Sequence, residues 1–503
     1  MQKNRINMNE WMELHPYDKT EFTDNYYLKI ANELADSWDK CNIQFKIHEK
    51  VKNRICLYVT AYFEDIISDF GLWNTFVTKH KDFYDKWLPF YDVQSAEYLT
   101  DEINLADVKF ILWYSIQELA GKPLHNILPP TFGPLQTVAE ELYKVLDREF
   151  EKAPINERLT KLMKKDTIYK SLPLLKQYLN WLFAHSYLME PSTNEKIMET
   201  QNFVQKKFEK NTPEQKNMIM YGIMQDVILS YPCGPLALHM NEWLCALAGK
   251  EHPEYENIRQ LKVKQTCNCV VEHVTDESIT LSNIMKEDSF DINKASFKKL
   301  PELVPGKTVI TAGYVWYGGR WNLNGIAAFN DIANYANVHK QPHRDLSKIH
   351  AAVYAKFLQV NGNSPIAYFR SFDEMNDFLV KKMEWPDNNK TFDAIKDKRN
   401  YILFVSEDKG LLIAVDIAEC VKDNNNPMYD HQVAEKKAFL LFVNKGQCPI
   451  ELLEYLEEEG KLPDACLFDE TKNMEKGCKL VHENWDFIAR MFLNEFYWAN
   501  TNQ

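Results

Sequence analysis

The sequence predicts a multidomain α+β protein. It should comprise a large irregular α-helical N-terminal domain, a small β-barrel of the SH3 or OB kind, and a C-terminal α+β domain. Three observations carry this. At 503 residues the chain exceeds what one hydrophobic core usually organises. Apolar residues recur at three- and four-residue spacing as far as residue 258, after which β-branched residues crowd positions 259–328. Aromatic residues make up 13%, with 28 Phe, 25 Tyr and 12 Trp, so there is ample large apolar surface to fill several cores.

The helical domain, residues 1–258, reads in order. "TDNYYLKIANELADSWDKC" opens with an acidic first turn and sets Tyr27, Ile30, Ala31 and Leu34 on one face. "VKNRICLYVTAYFEDIISDFG" repeats the pattern and stops at Gly71. "LTDEINLADVKFILWYSIQELAG" offers Thr100 as N-cap, acids in its first turn and Gly121 at its end. "PLQTVAEELYKVLDREFEKAP" runs from Pro134 to Pro154. Further helices are expected over 172–189, 195–209, 214–229 and 235–248. No repeat of fixed period occurs, which argues against a solenoid.

The barrel, residues 259–328, begins with "LKVKQTCNCVVEHVTDESITLSNI", two strands about a turn at Thr275–Glu277. Pro305-Gly306 precedes "KTVITAGYVWY"; Gly318-Gly319 suits a two-residue hairpin turn, and "RWNLNG" returns. In the hairpin Tyr314, Trp316 and Gly318 share one face, and Val315 and Tyr317 the other. One set should enter the barrel and the other face outward. Most of these aromatics are expected in the core; Tyr314, Trp316, Arg320 and Trp321 are the candidate binding residues, because exposed aromatics mark interfaces.

Residues 329–365 read as a helical connector interrupted at Pro342 and closed by an Asn-Gly turn. In the α+β domain, residues 366–503, "IAYF" is a strand, Ser371 with Glu374 forms a capping box, and "NYILFVSEDKGLLIAVDIA" is a hairpin around Asp408–Gly410. "NPMYDHQVAEKKAFLLFVN", "CPIELLEYLEEEG" and "ENWDFIARMFLNEFYW" supply the last helices.

Charge does not separate the halves: residues 1–260 carry 30 basic and 37 acidic groups, residues 261–503 carry 29 and 35. An evenly acidic chain of net charge −13 argues against sequence-independent DNA binding, which rests on Lys and Arg neutralising phosphates. The first residues lack the apolar core of a secretory signal, and the most apolar stretches fall short of the roughly 20 residues a membrane span needs. Ten thinly spread cysteines then imply free thiols in a reducing cytoplasm, with no membrane association.

Three constellations could carry chemistry. Cys267, Cys269 and His273 would share one face of a strand and could meet one zinc ion, although CxC is not the usual CxxC knuckle and no second pair completes the set. His339 and His343 have i, i+4 spacing with His350 beyond, but Pro342 breaks that helix, and neither an HExxH-type base nor a third well-placed carboxylate accompanies them. Cys233 precedes a helix expected to start near Pro235, where backbone amides would lower a thiol pKa, and His239 and Glu242 follow. These three are the best enzyme lead, yet Cys233 and His239 stand more than a turn apart, and a tight turn into a packed helix explains the motif better. The acidic pairs of the helical domain lack the Glu-x-x-His partners of a di-metal bundle. Neither GxxxxGK[ST] nor GxGxxG occurs. No cofactor is predicted.

"WMELHPYDKTEFTDNYYLKIANEL", "AYFEDIISDFGLW", "YDKWLPFYDV", "DEINLADVKFILWY", "PCGPLALHMNEWL" and "GGRWNLNG", with the later "NPMYDHQVAEKKA" and "CPIELLEYLEEEG", resemble a bacterial family described only as a domain of unknown function. The resemblance covers nearly the whole chain. It implies a bacterial, cytoplasmic origin and a recurring architecture, and assigns no activity or catalytic residue. The function expected is therefore non-enzymatic: a binding or scaffold protein whose barrel aromatics engage a protein or peptide. Single-stranded nucleic acid is the other partner considered, and homo-oligomerisation a further outcome. The alternative is a cysteine- or metal-dependent enzyme with a pocket near Cys233 and His239.

Overall fold

Helical periodicity up to about residue 258 becomes a stack of helices that bury the faces their spacing marks. The computed structural model describes residues 5–41, 47–91, 93, 98–119, 130, 133–162, 166–286, 288–335, 346–386, 392–443, 447–463, 484, 486–494 and 497. Helix α1 (Phe22–Lys40) buries Tyr27, Ile30, Ala31 and Leu34 against α2 (Glu49–Ser68) and α5 (Gly133–Glu149). Helix α2 ends at Asp69, whose φ of 47° is left-handed, and α3 (Leu72–Tyr84) starts directly after Gly71. Helix α4 (Leu105–Leu119) begins five residues after Thr100, because Asn104 rather than Thr100 offers its carbonyl to the first helical amides. Gly121 lies outside the described residues.

Helices α6 (Leu172–His185), α7 (Glu190–Lys207) and α8 (Pro213–Ser230) follow, and Thr212 caps α8 in a box with Gln215. Helix α9 (Met240–Ala248) starts five residues later than expected. Gly234 at φ 71° and Ala237 at φ 44° turn the chain back, so that Cys233 and Leu238 exchange backbone hydrogen bonds and no helix can form through Pro235.

Five strands then close a barrel in the order β1-β2-β3-β5-β4: β1 (Lys262–Val274), β2 (Ser278–Asn283), β3 (Ser289–Asn293), β4 (Thr308–Tyr317) and β5 (Arg320–Asp331). The closing pair is parallel, Ile292 beside Trp321; the others are antiparallel. Closure leaves no free edge. Gly318 and Gly319 have φ of 60° and 76°, the double positive turn that a two-residue hairpin requires. Strand β5 continues six residues past Gly325, pairing with β4 after a register shift at Ala312/Gly313. Cys269, Val271, Ile279, Leu281, Ile310 and Tyr314 are among the residues that fill the interior.

Helix α8 lies across β1, β4 and β5, and two glycines of the ribbon make this possible. A Cβ on Gly313 would stand 2.2 Å from Asp226 Oδ1, and one on Gly325 would stand 3.1 Å from Gly222 Cα. Helix and strand therefore approach at glycine on both sides.

The described residues divide into two compact units, one up to position 335 and one from position 346 onward. The second unit has an antiparallel sheet of β6 (Ile366–Phe369), β7 (Tyr401–Ser406) and β8 (Gly410–Val415). Around it are α10 (Leu346–Val360), α11 (Phe372–Lys381), α12 (His431–Val443) and α13 (Ile450–Glu458), over a core that includes Phe357, Met375, Leu379 and Tyr401. Ser371 caps α11 by accepting from the Glu374 amide, while Glu374 reaches back to the Arg370 amide instead of that of Ser371. Among the described residues no helix is long and apolar enough to cross a membrane.

Candidate functional site

Register places an aromatic band across one end of the barrel. Trp316 pairs with Trp321 across the β4–β5 hairpin and with Lys262 across β1–β4, while Lys264 pairs with Tyr314. Paired residues share a face, and Tyr314 points inward, so these side chains line the barrel mouth. Phe290 completes the band from β3. The rings meet edge-on or tilted: Trp316–Trp321 at 5.5 Å and 73°, Phe290–Trp321 at 5.8 Å and 60°. Lys262 Nζ stands 5.4 Å from the Trp316 ring and Lys264 Nζ 5.2 Å from that of Trp321. Lys264 also bonds Asp288 Oδ2 at 2.6 Å.

The four candidate binding residues thus divide. Trp316 and Trp321 are half-buried at the mouth and Arg320 is exposed on the hairpin turn, but Tyr314 is fully buried inside the barrel and cannot present a surface. The opposite hairpin face is not a free platform either. Val315 and Tyr317 are buried on the outer wall, because in a small barrel docked on helices both faces of a strand are covered. Residues 259–328 hold nine basic and seven acidic groups, a net +2 within a chain of −13. The barrel carries a small positive balance within an acidic protein.

Where α8 meets the barrel, Asp226 accepts from the Thr266 amide at 2.8 Å, the Thr266 hydroxyl at 2.6 Å and Asn324 Nδ2 at 2.8 Å. Lys176 donates to the Leu323 carbonyl at 3.3 Å, and burial pulls its ammonium down to about 8 against the attraction of Asp226. This junction fixes the strand that leads into the mouth.

The cysteine enzyme lead is corrected by burial. Cys233 is 0% exposed in the turn before α9, and desolvation drives its thiol well above the ordinary range instead of below it. Its sulfur faces Met240 Sδ at 3.5 Å. Glu242 accepts from the His239 amide at 2.8 Å, closing the first turn of α9, so its carboxylate caps a helix. A cleft of about 510 Å³ does open beside this segment, between α3 and α9. Lys79, Asp82, Glu242, Cys245, Lys250 and Arg259 line it with both signs of charge, and burial pushes the Cys245 thiol up to about 11, away from a thiolate nucleophile.

The Cys267/Cys269/His273 set comes apart. The two sulfurs face inward 3.6 Å from each other, but a register shift between Val271 and His273 turns the histidine out to solvent. The two sulfurs hydrogen-bond each other, and that contact holds Cys267 below and Cys269 above the usual thiol range. His339 and His343 lie outside the described residues. His350, in the second unit, has Nδ1 2.5 Å from the Asp408 carbonyl, packed under the hairpin turn at Gly410.

Sequence reasoning missed a buried polar network in the helical part. His15 Nδ1 donates to the Trp11 carbonyl at 3.0 Å, which turns Nε2 to Glu64 Oε2 at 2.7 Å. Asn156 Nδ2 donates to Glu64 Oε1 at 2.9 Å and to the Tyr17 hydroxyl at 2.7 Å, and Tyr17 and Trp11 Nε1 both donate to Asp24 Oδ1. Burial works against the charge on His15, but Glu64 outweighs it and the imidazole pKa rises. The donor atoms of His15, Asp24 and Glu64 lie within 4.8 Å of one another. At 2.7 Å the His15–Glu64 contact is a hydrogen-bonded ion pair, closer than two ligands about 2.1 Å from one metal would sit. Nothing in the spacing of positions 15, 24, 64 and 156 signals this meeting.

Residues 5–301 and 324–494 match the model of a family described as protein of unknown function (DUF3843). Residues 302–323, with Trp316, Arg320 and Trp321, lie between the two matched stretches. Neither a curated protein nor a solved structure matches the chain.

Proposed function

We propose a binding role for this chain, which belongs to the DUF3843 family of proteins of unknown function. The barrel mouth takes an extended, anionic peptide segment of a protein partner, with no catalysis. The observation that carries this is the band of Phe290, Trp321 and Trp316 flanked by Lys262 and Lys264. Barrel mouths are common ligand sites, and half-buried Trp with a nearby cation offers both an apolar anchor and a charge. Lysine over an exposed ring is worth only about 0.5–1 kcal/mol, so a carboxylate readily draws these ammonium groups off the rings. The edge-on rings form a notch for a side chain and not the parallel shelves on which bases stack, which favours peptide over single-stranded nucleic acid.

The test is selection of peptides from a random displayed library by the wild-type chain, Trp321→Ala and Lys262→Glu/Lys264→Glu. Acidic peptides with an apolar anchor should be enriched by the wild type and lost with either variant, at unchanged melting temperature. If Trp321→Ala lowers the melting temperature and leaves selection intact, the band is core and the role fails. Oligothymidylate binding without peptide selection would refute it in favour of nucleic acid.

A further inference from the structure

We propose that Cys267 and Cys269 form a reversible oxidation site that closes to a disulfide when the protein meets a hydroperoxide. This does not rest on the binding role. Alternate residues of a strand point the same way, and here both sulfurs enter the barrel and lie 3.6 Å apart in direct contact. Strand rise places Cα atoms two residues apart at about 6.6 Å, inside the upper limit of about 6.8 Å for a disulfide. The register shift between Lys264 and Cys267 lies just before the pair, and the pairing with β4 is regular from Cys267 to Val270. Access is graded: Cys269 is fully buried, and Cys267 is half-buried towards the mouth, beside Lys264. The outer sulfur therefore meets the oxidant and the inner one resolves it.

The chemistry balances with the hydroperoxide as the only oxidant. The Cys267 sulfur attacks the terminal peroxide oxygen, the O–O bond breaks, and the alkoxide leaves and takes up the thiol proton as an alcohol. Cys267 is then a sulfenic acid. The Cys269 sulfur attacks the Cys267 sulfur, the S–O bond breaks, and hydroxide leaves with the Cys269 proton as water. Two thiols lose two electrons to one peroxide. A thiol reductant reverses the bond.

Full-length protein is treated with equimolar hydrogen peroxide, alkylated with N-ethylmaleimide and digested with trypsin without reductant. Cleavage after Lys264 and Lys286 releases both cysteines, and no others, in one peptide. The expected peptide is unalkylated and about 2 Da lighter than the reduced form, a difference erased by dithiothreitol before alkylation. Two maleimides on that peptide, or Cys267 carried to sulfinic acid with Cys269 alkylated, would overturn the proposal. In Cys269→Ser, dimedone should trap a sulfenic acid on Cys267. Trapping on Cys269 in Cys267→Ser would overturn the assigned order of attack.

Discussion

Gly313→Ala asks whether the close approach of α8 to the barrel carries stability. The added Cβ would lie 2.2 Å from Asp226 Oδ1 and 2.9 Å from both Cγ and Oδ2. Three hydrogen bonds, from the amide and hydroxyl of Thr266 and from Asn324, pin the carboxylate, so it cannot swing aside freely. Each bond to a charged acceptor is worth about 1.5–3 kcal/mol, and overpacking a filled site costs about 1–3 kcal/mol. Against these, replacing glycine stiffens the unfolded chain and returns about 0.4–1 kcal/mol. If one of the bonds breaks, these ranges sum to a net loss of about 1.5–6 kcal/mol. Urea unfolding followed by circular dichroism measures it, in the wild type and in Asp226→Ala. Asp226→Ala is itself destabilised, but it removes the clash, so adding Gly313→Ala to it should cost less than about 1 kcal/mol. Equal costs in the two backgrounds, or less than about 1 kcal/mol in the wild type, would refute the steric account.

Two further outcomes are expected. Burial pushes the Asp65 carboxyl up to about 6 and that of Asp107 up to about 7, against the hydrogen bonds each accepts. Both bind their protons more tightly folded than unfolded, so stability should fall as pH rises from about 4 to about 7 and then level, by several kcal/mol at most. A melting temperature that is flat or rising over that window refutes this. Iodoacetamide at pH 8 should leave Cys233 unlabelled in the native protein and modify it fully in guanidinium; native labelling would reopen the nucleophile.

Periodicity made the helix faces legible. Tyr27, Ile30, Ala31 and Leu34 are buried together because i, i+3 and i+4 spacing determines a side before any partner is known. Turn chemistry made the barrel hairpin legible, since Gly-Gly has few other uses between alternating strands. What escaped depends on contacts distant in sequence or on single-residue irregularities. The bulge that turns His273 outward adds one unpaired residue to β1, which no alternation rule foresees. Cys233 looked like a helix N-terminus because Pro235 is a good first-turn residue; Gly234 and Ala237 instead make a reverse turn. The opening and closing glycines of "GYVWYGGRWNLNG" serve α8, a helix some 90 residues upstream, and local sequence names no such partner.

The His15 network also imposes a timetable on synthesis. Residues are added at roughly 5–20 per second, and 141 positions separate His15 from Asn156, so about 7–28 s pass between them. Until then Glu64 and Tyr17 lack the amide that joins them, and burial of the His15–Glu64 pair stays incomplete. The N-terminal segment therefore leaves the ribosome early but locks late. During that interval Tyr17 already has Asp24 beside it, and what waits is the side of Tyr17 and Glu64 that Asn156 covers.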